Sequence, residues 1–300
     1  MSDLRPRPGP PRPGPFVRPE FENPAVAPGG AADAAEAPLG PVDWLLDQAW
    51  ARRTIILAGL ILLWEAYARA LGNPLMVPGF SDTVTALWDA AVDGPLLSRT
   101  LSSLRVLLLG YAGGVLLAGV LTGLAVSSRI GTDLLSTLTA MFNPLPAIAL
   151  LPLALLWFGL GTGSLVFVIV HSVLWAVALN THGGFLSVSD TQRMAGQNCG
   201  LRGLGFVCRI LVPAAFPSIL TGLKIGWAFA WRTEIAAELV FGATSGSGGL
   251  GWFIFEARNQ LDTAAVFAGL VTVVVIGLLV ETVVFRGIER RTVRRWGMQR

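Results

Sequence analysis

Six long apolar runs, separated by short polar punctuation, set the pattern of this chain: residues 54–71, 101–127, 134–158, 163–180, 218–241 and 264–285. Each is close to the ~20 residues a helix needs to cross a bilayer. The runs are solidly apolar and do not alternate every second residue, so they predict helices and exclude a β-barrel. The third run carries Pro144, Pro146 and Pro152. These predict kinks or an interruption, which a membrane tolerates only inside a protein bundle. Two shorter stretches read as helices lying outside the spans. Residues 44–53 form an interfacial helix, and residues 81–93 form an amphipathic helix capped by Ser81 or Asp82. The two halves show no sequence repeat, which argues against an inverted-repeat carrier.

The N-terminal 42 residues are different. They are dense in Pro, Gly and Ala and have no apolar run. Such a segment cannot bury enough surface to offset the entropy of ordering, and a disordered, dispensable cytosolic tail is expected. It lacks the apolar core of a signal peptide and contains acids, unlike a transit peptide. Residues 43–300 are then one all-α integral membrane domain with about six spans.

Composition agrees. Hydrophobic residues make up 53% of the chain and charged residues only 14%, against about 25% in a soluble domain. The net charge of +3 does not point to nucleic acid, because the basic residues flank the spans unequally. Six spans with both termini cytosolic put Arg52, Arg53, Arg129, Arg193, Arg202, Arg209, Lys224 and the C-terminal arginines on one side. Only Arg69, Arg99, Arg105 and Arg258 remain on the other. Cys199 and Cys208 fit no zinc spacing and read as ordinary small residues.

The chemistry is defined first by what is missing. A phosphate-binding loop needs Lys followed by Ser or Thr. The only lysine is Lys224, followed by Ile225, so any ATP hydrolysis resides on another protein. No G-x-S-x-G occurs. Ser245 and Ser247 lie on the opposite side from His182, and His171 reads as a hydrogen-bonding residue of the bundle. Span five contains WAFAWRTEIAAEL. Its spacing puts Trp227, Trp231, Glu234 and Glu238 near one face, with Arg232 about 100° away. Two readings stand. Either these residues line the translocation path or its outer gate, or Arg232 forms a structural ion pair with Glu281 or Glu65.

Residues 181–217 are the longest polar break between spans. Their helical composition, a break at Gly200, and Pro213 and Pro217 at the re-entry predict a short exposed helix that docks on a partner. A plain connection would be only a few residues long.

At this loop the sequence resembles the permease subunits of bacterial ABC importers. Their loop reads Glu-Ala-Ala, then Gly four residues later, then a Leu-Pro-x-x-x-Pro exit. Ala195, Gly200, Pro213 and Pro217 match that pattern, while Met194 replaces the Glu and Gly196 the second Ala. NPLPAIALLPLALLWFGLGTGS, residues 212–223 and AAELVFGATSGSGGLGWFIFEARNQLDTAAVFAGL are similar to segments of the nitrate/sulfonate/taurine subfamily. The resemblance runs from about residue 55 to the C-terminus. It implies a type I ABC importer permease fold and a homodimer in the bacterial inner membrane. It also implies two cytosolic ATPase subunits carrying ATP and Mg, a periplasmic substrate-binding protein and no cofactor on this chain. The ATPases would grip Arg193, Met194, Ala195, Gly196, Gly200, Leu201, Arg202 and Gly205. Small anions are the implied substrates. The rival expectations are an autonomous carrier or channel and, more remotely, an intramembrane enzyme.

Overall fold

Proline and glycine positions decide where the apolar runs become separate helices. The computed structural model describes residues 48–241 and 248–292. The N-terminal tail, residues 44–47, the Ser245/Ser247 segment and the last arginines lie outside them. The chain divides into two units, residues 1–60 and 61–300. The described part of the first holds the opening turns of α1 (Ala49–Leu71), with no break between the expected interfacial helix and the span. In the second unit follow α2 (Phe80–Val92), α3 (Leu96–Ala125), α4 (Arg129–Phe142), α5 (Leu151–Phe158) and α6 (Thr162–Leu186). Then come α7 (Asp190–Asn198), α8 (Gly203–Phe206), α9 (Val212–Phe241), α10 (Leu250–Asn259), α11 (Thr263–Leu279) and α12 (Arg286–Arg291). Among the described residues, five helical stretches are long and apolar enough to span a membrane: α1, α3, α6, residues 207–240, and residues 263–291.

The sixth expected span is broken. Helices α4 and α5, the latter preceded by a 3₁₀ turn at Ala147–Leu150, meet at 87°. The three prolines there do different work. Pro144 and Pro146 occupy the break, and Pro146 is extended at φ −60°, ψ 119°. Asn143 caps α4 with helical dihedrals (φ −63°, ψ −36°), and Pro144, lacking an N–H, cannot continue the hydrogen-bond ladder. Pro152 stands in the first turn of α5, where its missing N–H costs nothing, and it starts a helix instead of kinking one.

Glycines build the core. Helix α6 packs against α3 on one side and α9 on the other. A Cβ at Gly110 or Gly114 of α3 would sit 2.6 Å from Ile169 or Val173 of α6. A Cβ at Gly222 of α9 would sit 2.8 Å from Asn180. Membrane helices gain little hydrophobic force against each other, so small residues that let backbones approach supply the attraction. Tyr111 closes the triangle by donating to the Leu223 carbonyl at 3.0 Å and meeting Trp227 edge-on.

The amphipathic helix α2 is capped by Gly79, not by Ser81 or Asp82 themselves. Asp82 accepts the Gly79 N–H, while Ser81 turns to Glu65 of α1. Pro213 and Pro217 mark no break at the re-entry. Helix runs without interruption from Gly203 to Phe241, with a π-helical turn at Val207–Leu211. That wider turn lies where the Pro213 ring would crowd the carbonyl four residues earlier.

Candidate translocation cavity and coupling helix

The break between α4 and α5 opens a cavity of about 350 Å³ against α6 and α9. Interrupted helices that expose backbone at mid-membrane are tolerated where they line such a space. Its polar lining comes from Asn143 at the break, His171 and Ser172 of α6, and Arg232 and Thr233 of α9. Ser172 and Thr233 hydrogen-bond each other at 3.2 Å. Neither ring nitrogen of His171 has a hydrogen-bond partner among the described residues, so the bundle bond expected of it is not made. Instead it meets Phe142 and Trp175 edge-on. Phe142 and Trp175 stack at 5.2 Å between centroids and 13° between planes. A second cavity of about 200 Å³ shares Asn143 and Pro144 with the first and extends to His182, three helical turns beyond His171 on α6.

Arg232 makes neither of the expected ion pairs. Its Nε donates to the Ala228 carbonyl at 3.1 Å and its guanidinium lies 5.1 Å from the centre of the Phe229 ring. Both partners belong to α9. Glu65 pairs with Arg69 at 2.7 Å instead. An arginine at mid-span costs about 2.5–3.5 kcal/mol on insertion scales, and these two contacts recover little of that.

The other four span-five candidates turn away from the cavity. Trp227, Trp231, Glu234 and Glu238 share one face, as the spacing requires, and all are buried. Trp231 donates to the Val273 carbonyl of α11 at 3.2 Å. Glu238 sits at the centre of a polar knot. The Ser103 hydroxyl of α3 donates to its carboxylate at 2.8 Å, and the Gly251 N–H donates to it at 2.7 Å. Ser103 in turn accepts the Leu250 N–H at 2.8 Å. The first two amides of α10 are therefore capped from α9 and α3, and a carboxylate at a helix N-terminus is favoured by the helix dipole. Glu234 is fully buried one turn earlier. Arg99 of α3 ties the same region to α10 through Glu256 at 3.0 Å.

At the opposite end of α6 and α9 stands α7. Ser189 caps it, accepting the Gln192 N–H. Its C-terminus is a Schellman motif: Gly200 at φ +77°, with Leu201 N–H to Gly196 and Gly200 N–H to Gln197. A left-handed φ at this position explains why glycine ends the helix. Two contacts clamp α7 to the membrane helices. Arg193 donates to the carbonyls of Phe185 at the end of α6 and of Val188 just beyond it, at 2.6 and 3.2 Å. Gly196 is buried against Phe206 and Ile210, where a Cβ would stand 2.8 Å from the Ile210 side chain. The remaining surface is open: Met194 is 55% exposed, and Ala195, Gly200, Arg202 and Gly205 are exposed too, with Leu201 half-buried.

Sequence reasoning missed Asn143, Ser172, Thr233 and the Phe142–Trp175 stack at the cavity, and Arg99 and Ser103 at the knot. The signal for His171 and Trp175 was their spacing of four on one helix. Nothing in the sequence paired Ser103 with Glu238, 135 residues apart.

Comparison with known proteins joins these pieces. Residues 114–294 match the family described as binding-protein-dependent transport system inner membrane component. The chain is 30% identical to the taurine transport system permease protein of Escherichia coli over 244 residues, 78% of this chain and 86% of the relative. It is 29% identical to a putative aliphatic sulfonates transport permease protein of Escherichia coli over 225 residues, 74% and 84% of the two chains. It is 26% identical to the nitrate import permease protein of Synechocystis over 254 residues, 80% and 89%. The interrupted span, the clamped exposed helix and this similarity agree, and the chain belongs to the family of binding-protein-dependent transport system inner membrane components, as a multi-pass ABC transporter permease subunit.

Proposed function

We propose that this chain forms the translocation path of an ABC importer for a small anion of the nitrate, sulfonate or taurine kind. A periplasmic binding protein delivers the substrate, and separate cytosolic ATPase subunits, holding ATP and Mg, drive the cycle. The observation that carries this reading is the clamping of α7. Arg193 fastens it to the end of α6 and Gly196 seats it against the π turn that leads into α9. A push on its exposed face is transmitted to both helices that line the cavity. The end bearing α7 is cytosolic on this reading, as are both termini. That end gathers Arg129, Arg193, Arg202, Arg209 and Lys224, which accords with the bias of basic residues toward the cytosol. Lys224 pairs there with Glu289 at 2.7 Å. A second copy of the chain completes the path. Taurine, sulfonate and nitrate in the relatives' names support an anionic substrate.

Purified alone, the chain should hydrolyse no ATP, and a co-expressed ATPase should co-purify with it. Gly200→Val and Arg202→Glu should each lower substrate-stimulated ATP hydrolysis and uptake together, by about tenfold or more, because the first strains a left-handed position and the second reverses charge on the docking face. Full uptake and hydrolysis in both variants would remove α7 from the coupling role. Anion flux in liposomes from this chain alone would favour an autonomous carrier.

A further inference from the structure

The cavity at the broken span has a composition of its own. Its one charged lining residue among those described is Arg232. Among the described residues every bond Arg232 makes goes to its own helix, so it ties no two elements together there and has no evident structural task. The acidic residues of the same helix, Glu234 and Glu238, are buried on another face and do not neutralise it. A cation in a membrane cavity without a protein counter-charge calls for an anion. His171 contributes its ring to the same lining with both nitrogens buried, and Asn143 adds an amide at the break. The remaining walls are apolar: Phe142 and Trp175 on one side, Phe229 and Ala236 on the other. Ligand sites typically have this make-up, a mostly apolar cavity with a few polar groups that fix orientation.

We propose that this cavity is a substrate-binding site of the permease itself, with Arg232 as counter-charge, and that it takes a small organic anion with an apolar end, such as a short alkanesulfonate, in preference to nitrate. The inference rests on the importer reading above and narrows it. Arg232 holds the charged head. The aromatic walls cover the tail, which an inorganic anion lacks. Selection among anions then occurs a second time inside the membrane, after delivery.

The test uses the permease–ATPase complex in nanodiscs, without nucleotide and without the binding protein. Equilibrium binding of radiolabelled butanesulfonate should be saturable, and nitrate should compete at least about tenfold more weakly than unlabelled butanesulfonate. Arg232→Gln should weaken binding at least about tenfold, the loss expected of one charge-assisted contact, and Arg232→Lys should retain more than Gln does. Ala236→Trp, which fills the cavity and leaves the charge in place, should abolish binding. Absence of saturable binding to the wild type, equal competition by nitrate, or full binding by Arg232→Gln or Ala236→Trp would each overturn the assignment. ATP-driven uptake by the wild-type complex is scored separately. Its absence would sink the importer reading while leaving the binding result interpretable.

Discussion

Arg232 and Glu238 stand six residues apart on one helix, and the fold treats them in opposite ways. Glu238 is 4% exposed and held by groups from α3 and α10. Arg232 faces a cavity and, among the described residues, bonds only within its own helix. A buried charge is tolerable when hydrogen bonds replace its water, and Glu238 meets that condition. Arg232 does not meet it within the described residues. The contrast separates a structural charge, which fastens three elements at one end of the bundle, from an available one, which has bonding capacity left for a ligand.

That separation can be broken or sharpened by stability measurements on the detergent-solubilised complex. Glu238→Ala should have the largest effect, about 3 kcal/mol, because the Gly251 N–H is left buried without an acceptor and α10 loses its cap. A drop in thermal midpoint and in membrane abundance would register it, with Glu238→Gln milder because it keeps an acceptor. Gly251→Ala comes next, at about 2 kcal/mol. Its Cβ would stand 2.6 Å from the Glu238 Cβ and 2.7 Å from the Ile235 carbonyl, an overpacking that one methyl suffices to cause. Arg232→Gln should be the smallest, within about 0.5 kcal/mol, as for a substitution that severs no contact between elements. A large fall in thermal midpoint for Arg232→Gln would make it a structural residue and erase the contrast.

Helix α7 shows how a departure from a family pattern can be read physically. Gly196 stands where the pattern has alanine, and the structure seats it against Phe206 and Ile210 with no room for a methyl group. Met194 stands where the pattern has glutamate, and it is exposed. The two substitutions therefore act on different surfaces. One brings α7 closer to the membrane helices, and the other presents a flexible apolar side chain in place of a charge on its exposed face.

The apolar runs, their punctuation and the bias of basic residues were legible because bilayer thickness and helix geometry act locally, on consecutive residues. Gly200 was legible for the same reason, since a left-handed helix end favours glycine whatever surrounds it. The shared face of Trp227, Trp231, Glu234 and Glu238 also followed from helical periodicity alone. Which way that face points did not, because periodicity fixes the relation among residues on one helix and not the helix's rotation against its neighbours. The 87° break was foreshadowed by Pro144 and Pro146, but its angle, and the cavity it opens beneath His171 and Arg232, depend on where α6 and α9 lie. The binding of Glu238 by Ser103 needed α3 and α9 to meet, a contact set by glycine seams such as Gly110 on Ile169. The sequence by itself determined that this is a helical membrane protein. Only the tertiary structure decided that Glu238 is held by other helices and that Arg232 bonds within its own, because hydrogen-bond partners are settled between helices far apart along the chain.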